Sequence, residues 1–208
     1  MAKDETLASL ILRGYLRSER VIRAMNMVAR EEFIPQGMRA YAWDDRPLSI
    51  GYGQTISAPH MYAFMLEAAE IREGDMVLEV GAGSGYGAAL LSFLVGKAGS
   101  VFSIELVPEL AAFASANIRK AGQEAKIILG DGTCGYEKGA PYDRILVTAA
   151  CESIPPALVV QLKNKGRMLI PVGGFVQELL LVEKIGEGTK TTSLLPVRFV
   201  PLHSLMKS

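Results

Sequence analysis

The stretch Val77-Leu-Glu-Val-Gly-Ala-Gly-Ser-Gly-Tyr86 decides the fold. With Asp75 and Met76 before it, the run DMVLEV follows a Gly-Asp turn and reads as a short buried strand. Gly81, Gly83 and Gly85 come next, and Tyr86–Val95 then carries helical spacing. Strand, glycine turn and helix in that order leave bare backbone where a ligand can approach closely, and glycine tolerates the angles of so tight a turn. The dinucleotide fingerprint would place its third glycine where Tyr86 stands, so the ligand expected here lacks a pyrophosphate. A Walker loop fails too, since no Gly-Lys-Ser/Thr follows.

Toward the C-terminus the same unit repeats. Ser100–Glu105 is a second strand, Pro108 starts a helix with Leu110, Phe113, Ala114 and Ile118 on one stripe, and Lys126–Leu129 is a third strand. Asp143–Val147 makes a fourth strand and Ile154–Leu162 a short helix. Arg167–Pro171, Glu178–Glu183 and Thr191–Val200 read as strands without helices between them, with a surface turn at 186–190. Alternation predicts a Rossmann-like α/β fold, a mostly parallel sheet with helices on both faces and antiparallel strands at the C-terminal end. Toward the N-terminus, residues 4–13 and the run after Ser18 read as helices, the second capped by Ser18, and Pro35-Gln-Gly37 closes the helical run. Residues 40–58 show neither helical nor strand period and read as a long functional loop, before Pro59 opens a helix faced by Met61, Phe64, Met65, Ala68 and Ala69. The expected organisation is a single domain, with a helical region at 1–72 carrying a substrate loop at 40–60, and an α/β core at 73–208.

Composition narrows the function. The 208 residues carry 22 basic and 22 acidic side chains, so the basic surplus of a non-specific nucleic-acid binder is missing. No apolar run approaches the roughly 20 residues of a membrane span, and the acidic start MAKDETLASL is unlike a secretory signal. Cys134 and Cys151 are too few and too far apart for a metal cluster or a disulfide framework. The expectation is a cytoplasmic monomer with no nucleic-acid, membrane or metal partner.

Acids mark the strand ends. Glu79 sits two residues before the glycine turn and suits a cationic ligand. Glu105 ends the second strand, where an acid accepts from ribose hydroxyls, and Asp131-Gly132 follows the third, within reach of an adenine ring. Together they form the pattern of an S-adenosylmethionine-dependent methyltransferase. His60, directly after Pro59, has two readings, a helix cap or a cofactor neighbour. Tyr41 and Trp43 read as packing residues, Asp44-Asp45-Arg46 as a solvated turn, Cys134 as inert and Arg198 as an outward charge.

A second string, Gly53-Gln-Thr-Ile-Ser-Ala-Pro-His-Met61, joined to the glycine turn and to Val197-Arg-Phe-Val-Pro-Leu202, resembles the protein-L-isoaspartate O-methyltransferases from about residue 20 to residue 202. The resemblance implies a monomeric, cytosolic repair enzyme that methylates the free α-carboxylate of L-isoaspartyl residues in damaged proteins and peptides. It implies Ser57 as the active-site serine, with Ile56, Val200, Pro201 and Leu202 at the peptide substrate. It implies Gly81, Gly83, Gly85, Glu105, Asp131 and Gly132 at the cofactor, with His60 beside it. Where many relatives read P-H-M-H, this chain has Tyr62, which keeps open an alternative: a methyltransferase of the same fold acting on another carboxylate or small molecule. A carboxylate with a pKa of roughly 4 is already a nucleophile at neutral pH, so the chemistry asks for positioning and water exclusion rather than a general base.

Overall fold

The computed structural model describes residues 1–204. Helices α1 (Lys3–Leu12) and α2 (Glu19–Met27) open the chain. The Ser18 hydroxyl caps α2, accepting from the Val21 N–H at 3.4 Å. Two short 3₁₀ turns follow, at Arg30–Phe33 and Gln36–Tyr41.

The segment expected to be irregular contains an antiparallel hairpin, β1 (Leu48–Gly51) with β2 (Gln54–Ile56). Its tip, Tyr52-Gly53, has positive φ at both residues (53° and 71°), the twist a two-residue hairpin needs. Tyrosine is an unusual residue for that conformation, which is why the turn escaped notice in the sequence. Helix α3 (Pro59–Ala69) follows with proline in its first turn, and it buries Met61, Ala63, Met65, Leu66 and Ala69. Phe64 and Ala68, expected on its inner face, are only partly buried.

The central sheet is built from β3 (Met76–Val80), β4 (Ser100–Glu105), β5 (Lys126–Leu129), β6 (Tyr142–Val147), β7 (Leu162–Gly173), β8 (Gln177–Ile185) and β9 (Gly188–Val197). Its spatial order is β5-β4-β3-β6-β7-β8-β9. The strands from β5 through β7 pair in parallel, and β8 and β9 add antiparallel. Helices α4 (Tyr86–Val95), α5 (Pro108–Lys120) and the short α6 (Pro156–Gln161) make the crossovers. The chain runs outward from β3 to β5 and then returns to lay β6 on the other side of β3. That reversal opens a crevice beyond the C-terminal strand ends, where open α/β sheets bind ligands.

Strand pleating separates two cores. Val77, Leu146 and Leu169 point into the larger one with side chains of α1 to α5, whereas Leu78, Ile145 and Met168 point into the smaller one with Leu158 of α6. Both faces are covered, but unequally: α6 is the single helix of the smaller core among the described residues. No helix among the described residues is long and apolar enough to cross a membrane.

Candidate active site

The glycine turn sits at the C-terminal edge of β3, its two ends held by neighbours. Gly81 N–H and Ala82 N–H both donate to the Ile104 carbonyl of β4, at 2.9 and 3.0 Å. Gly81 has φ +98°, and a Cβ there would run into the Thr148 hydroxyl, which donates to the Gly81 carbonyl at 2.8 Å. Gly85 does something different. A Cβ there would stand 3.1 Å from the Ala114 Cα, so this glycine lets the start of α4 pack against the backbone of α5. Gly81 and Gly83 line the crevice; Gly85 does not.

Glu105 closes the turn from β4. One carboxylate oxygen accepts from the Gly83 N–H at 2.8 Å and the other from the Val107 N–H at 3.0 Å. Each oxygen retains a second lone pair, so the same carboxylate can hold the loop and accept a pair of hydroxyls from a ligand. The crevice contains about 570 Å³ counting its open mouth. Gly132 forms part of its wall, while the Asp131 carboxylate is turned to its own loop and to the C-terminal segment. It accepts from Thr133 N–H and hydroxyl at 2.9 and 2.7 Å and from the Ser204 hydroxyl at 2.7 Å.

A second cavity adjoins the first. Ser57, His60, Met61, Tyr15, Arg198 and Phe199 line it, and Thr55, Thr148 and Val200 belong to both. The two spaces therefore share a border of three residues, the neck. The strap 198–202 runs along this neck, pinned by Ala150 N–H to Val200 carbonyl and Leu202 N–H to Ala150 carbonyl, both 2.8 Å. Gln177 holds it further out, accepting from the Phe199 N–H at 2.7 Å.

The geometry places several residues singled out in the sequence in other surroundings than expected. Glu79 does not face the crevice. Pleat parity sends it under α4, where it is 1% exposed, accepts from the Ser103 hydroxyl at 2.5 Å and sits against Gly87. Burial pushes its pKa up to about 8, against the Ser103 and Ala88 donors that favour the charge, so at pH 7 it is mostly a neutral acid rather than an anion for a cationic ligand. His60 lines the second cavity and not the crevice. Its Nδ1 lies 2.7 Å from the Asp45 carboxylate, which also accepts the His60 N–H at 2.9 Å and so caps α3 from a distant segment. Asp45 is thus a fixed anchor, held also by Arg13 at 2.9 Å, and not a solvated turn residue. Ile56 is 2% exposed, packs in the larger core and lines neither cavity. Pro201 and Leu202 wall the crevice rather than the second cavity; of the three predicted C-terminal residues, only Val200 reaches both. Tyr62 lines neither cavity and packs edge-on against Tyr86, centroids 5.1 Å apart, so it gives no reason to look for another substrate. Trp43 is buried as expected, whereas Tyr41 is exposed.

Thr148 and Thr55 were missed. Thr148 follows β6 directly, and the strand-end rule that found Glu105 and Asp131 finds it too when applied to Asp143–Thr148. Nothing in local sequence marks Arg30, whose Nη2 donates to the Ser57 carbonyl at 2.7 Å.

The strand order, the glycine turn and the acid closing it define a Rossmann-like, S-adenosylmethionine-dependent methyltransferase. Comparison with known proteins carries this further. The chain belongs to the protein-L-isoaspartate(D-aspartate) O-methyltransferase family, which it matches over residues 1–207. It is 50% identical to the protein-L-isoaspartate O-methyltransferase of Ignicoccus hospitalis over 204 residues, 96% of each chain. It is also 50% identical to protein-L-isoaspartate O-methyltransferase 2 of Archaeoglobus fulgidus, covering 97% of this chain and 93% of that one. Among solved structures, a Plasmodium falciparum chain described as a protein-L-isoaspartate O-methyltransferase in complex with S-adenosyl-L-homocysteine superposes with a TM-score of 0.86. It shares 28% identity over 96% of this chain and 97% of that chain.

Proposed function

We propose that this chain methylates the free α-carboxylate of L-isoaspartyl residues in damaged proteins and peptides, using the crevice for S-adenosylmethionine and the second cavity for the isoaspartyl segment. The observation that carries the reading is the neck at Thr55, Thr148 and Val200, residues that border both spaces in a member of this family. The residues present suit the cofactor. Glu105 keeps free lone pairs for the ribose hydroxyls, and Gly81 and Gly83 allow backbone approach. Gly132 and the loop fixed by Asp131 border the adenine side, and Pro201 and Leu202 supply apolar cover.

Held by Glu105, Gly81 and Gly83, S-adenosylmethionine would supply an activated methyl group on a cationic sulfur, with the neutral thioether as its spent form. The protein's own work is geometric. The substrate carboxylate is ionised at neutral pH and needs no base. Ser57 donates a hydroxyl hydrogen bond that orients it toward the neck. Val200 and the strap exclude water at the junction, where holding both reactants in line is worth up to about 7–11 kcal/mol. His60 serves the substrate side and stays oriented by Asp45.

We further propose that the chain acts as a cytoplasmic monomer without nucleic-acid partners. Its balanced charge and two free cysteines support this, and light scattering checks the assembly state. The reaction is tested by transfer of labelled methyl to an isoaspartyl peptide and to its aspartyl twin. Label on the first alone is expected; equal labelling or none rejects the proposal.

A further inference from the structure

Arg30 is fully buried, yet among the described residues no ion pair includes it. An arginine stays charged in proteins, and placing that charge away from water without a carboxylate is unfavourable. What it has instead are two backbone carbonyls and two rings. Nε donates to Ala42 and Nη2 to Ser57, both at 2.7 Å, and the guanidinium carbon lies 5.1 Å from the Tyr86 ring centre and 5.9 Å from that of Tyr62.

The two carbonyls are the two ends of one segment. Between Ala42 and Ser57 the chain passes Asp45, forms the β1–β2 hairpin with Leu48, Ile50 and Ile56 turned into the core, and carries Gln54 and Thr55, which line the crevice. A single rigid fork therefore fixes where that segment starts and where it stops, and the stopping point is Ser57, which lines the second cavity. We infer that Arg30 is a positioning residue for substrate: by holding the Ser57 carbonyl it sets the place of the Ser57 hydroxyl, and so the alignment of the isoaspartyl carboxylate at the neck. The inference rests on the function proposed above.

Lysine offers one compact point of donation in place of the fork and cannot keep both bonds at their present geometry. Arg30→Lys is expected to lower kcat/KM for an isoaspartyl peptide by about ten-fold or more, the loss of a hydrogen bond's worth of alignment. The dissociation constant of S-adenosylhomocysteine should stay within about two-fold, since Arg30 touches no part of the crevice. Combining it with Ser57→Ala separates positioning from mere packing. If Arg30 acts through Ser57, the double variant is no worse than Ser57→Ala alone; independent, multiplying losses overturn the inference, as does a fall in cofactor affinity in step with peptide turnover. Should Arg30→Lys fail to fold, the wild-type protein decides. In arginine-labelled protein saturated with S-adenosylhomocysteine, the buried Arg30 Nη2–H resonance, which reports the bond to the Ser57 carbonyl, is expected to shift on adding isoaspartyl peptide and not its aspartyl twin; an unmoved resonance overturns the inference. Wild-type methylation of the isoaspartyl peptide tests the proposed function separately, so the two can fail independently.

Discussion

The two halves of the site are made in different ways. The half proposed for the cofactor is almost all backbone and strand ends: Gly81, Gly83, Glu105 and Gly132 each lie within a few residues of a terminus of one of the sheet's parallel strands. The half proposed for the substrate gathers side chains from the turn after α1, the hairpin segment, α3 and the strap, tied by long-range bonds from Arg30 and Asp45. A ligand in the first half is met by geometry that the sheet enforces. One in the second half depends on a few tethers, each of which can be cut singly.

The contrast can be broken most forcefully at Gly81. Gly81→Ala adds a Cβ at φ +98° against the Thr148 hydroxyl, and we expect cofactor affinity to fall by about 100-fold or more, given the combined strain and clash. Calorimetry with S-adenosylhomocysteine measures it, and near-normal binding would show that the turn yields. Next comes Ser57→Ala, expected to reduce kcat/KM for isoaspartyl peptide by about 10–100-fold, as losing a hydrogen bond to a charged group would, with cofactor affinity intact. Steady-state assays with both ligands varied check the split; a parallel loss of both affinities would erase the distinction between the halves. Glu105→Ala should do the reverse, weakening S-adenosylhomocysteine by about 1–3 kcal/mol through lost ribose contacts and a slackened loop, with little change in peptide KM at saturating cofactor.

The smallest effect sharpens the boundary beneath the site. Glu79 has a folded pKa of about 8, raised chiefly by burial above the usual value near 4.3. Between those values the unfolded chain has released a proton that the folded chain retains. Its contribution therefore favours folding at low pH and is lost as pH rises through about 8. Glu79→Gln should remove that decline, so the difference in melting temperature between variant and wild type moves in the variant's favour from pH 5 to pH 8. A pH-independent difference would mean that Glu79 is ionised as folded. Cofactor affinity should change little, because its carboxyl faces away from the crevice.

How far sequence could be read follows the same division. The strand–turn–helix unit and Glu105 were legible because turn, helix and strand-end acid fall in contiguous stretches with a fixed physical meaning. Parity was the weak point within that half: Glu79 and Val80 are adjacent, and only the pleat decides which of them sees the ligand. In the other half the hairpin was missed although Leu48, Ile50 and Ile56 alternate with exposed Ser49 and Thr55. Strands of four and three residues are too short for a period to stand out, and Tyr52 hides the turn. The Ser57 string was recognisable as a resemblance, but not the tethers that place it. Arg30 reaches 27 residues ahead to Ser57, and Asp45 reaches 15 to His60; no local pattern encodes such partners.

The strap at 198–202 gives Arg198 and Phe199 to one space, Pro201 and Leu202 to the other, and Val200 to both. Its evolutionary latitude is accordingly narrow. A substitution there that widens the space proposed for the polypeptide also reshapes the one proposed for the methyl donor, so new substrate preferences are more freely explored at Tyr15 or Met61, which border the second cavity alone.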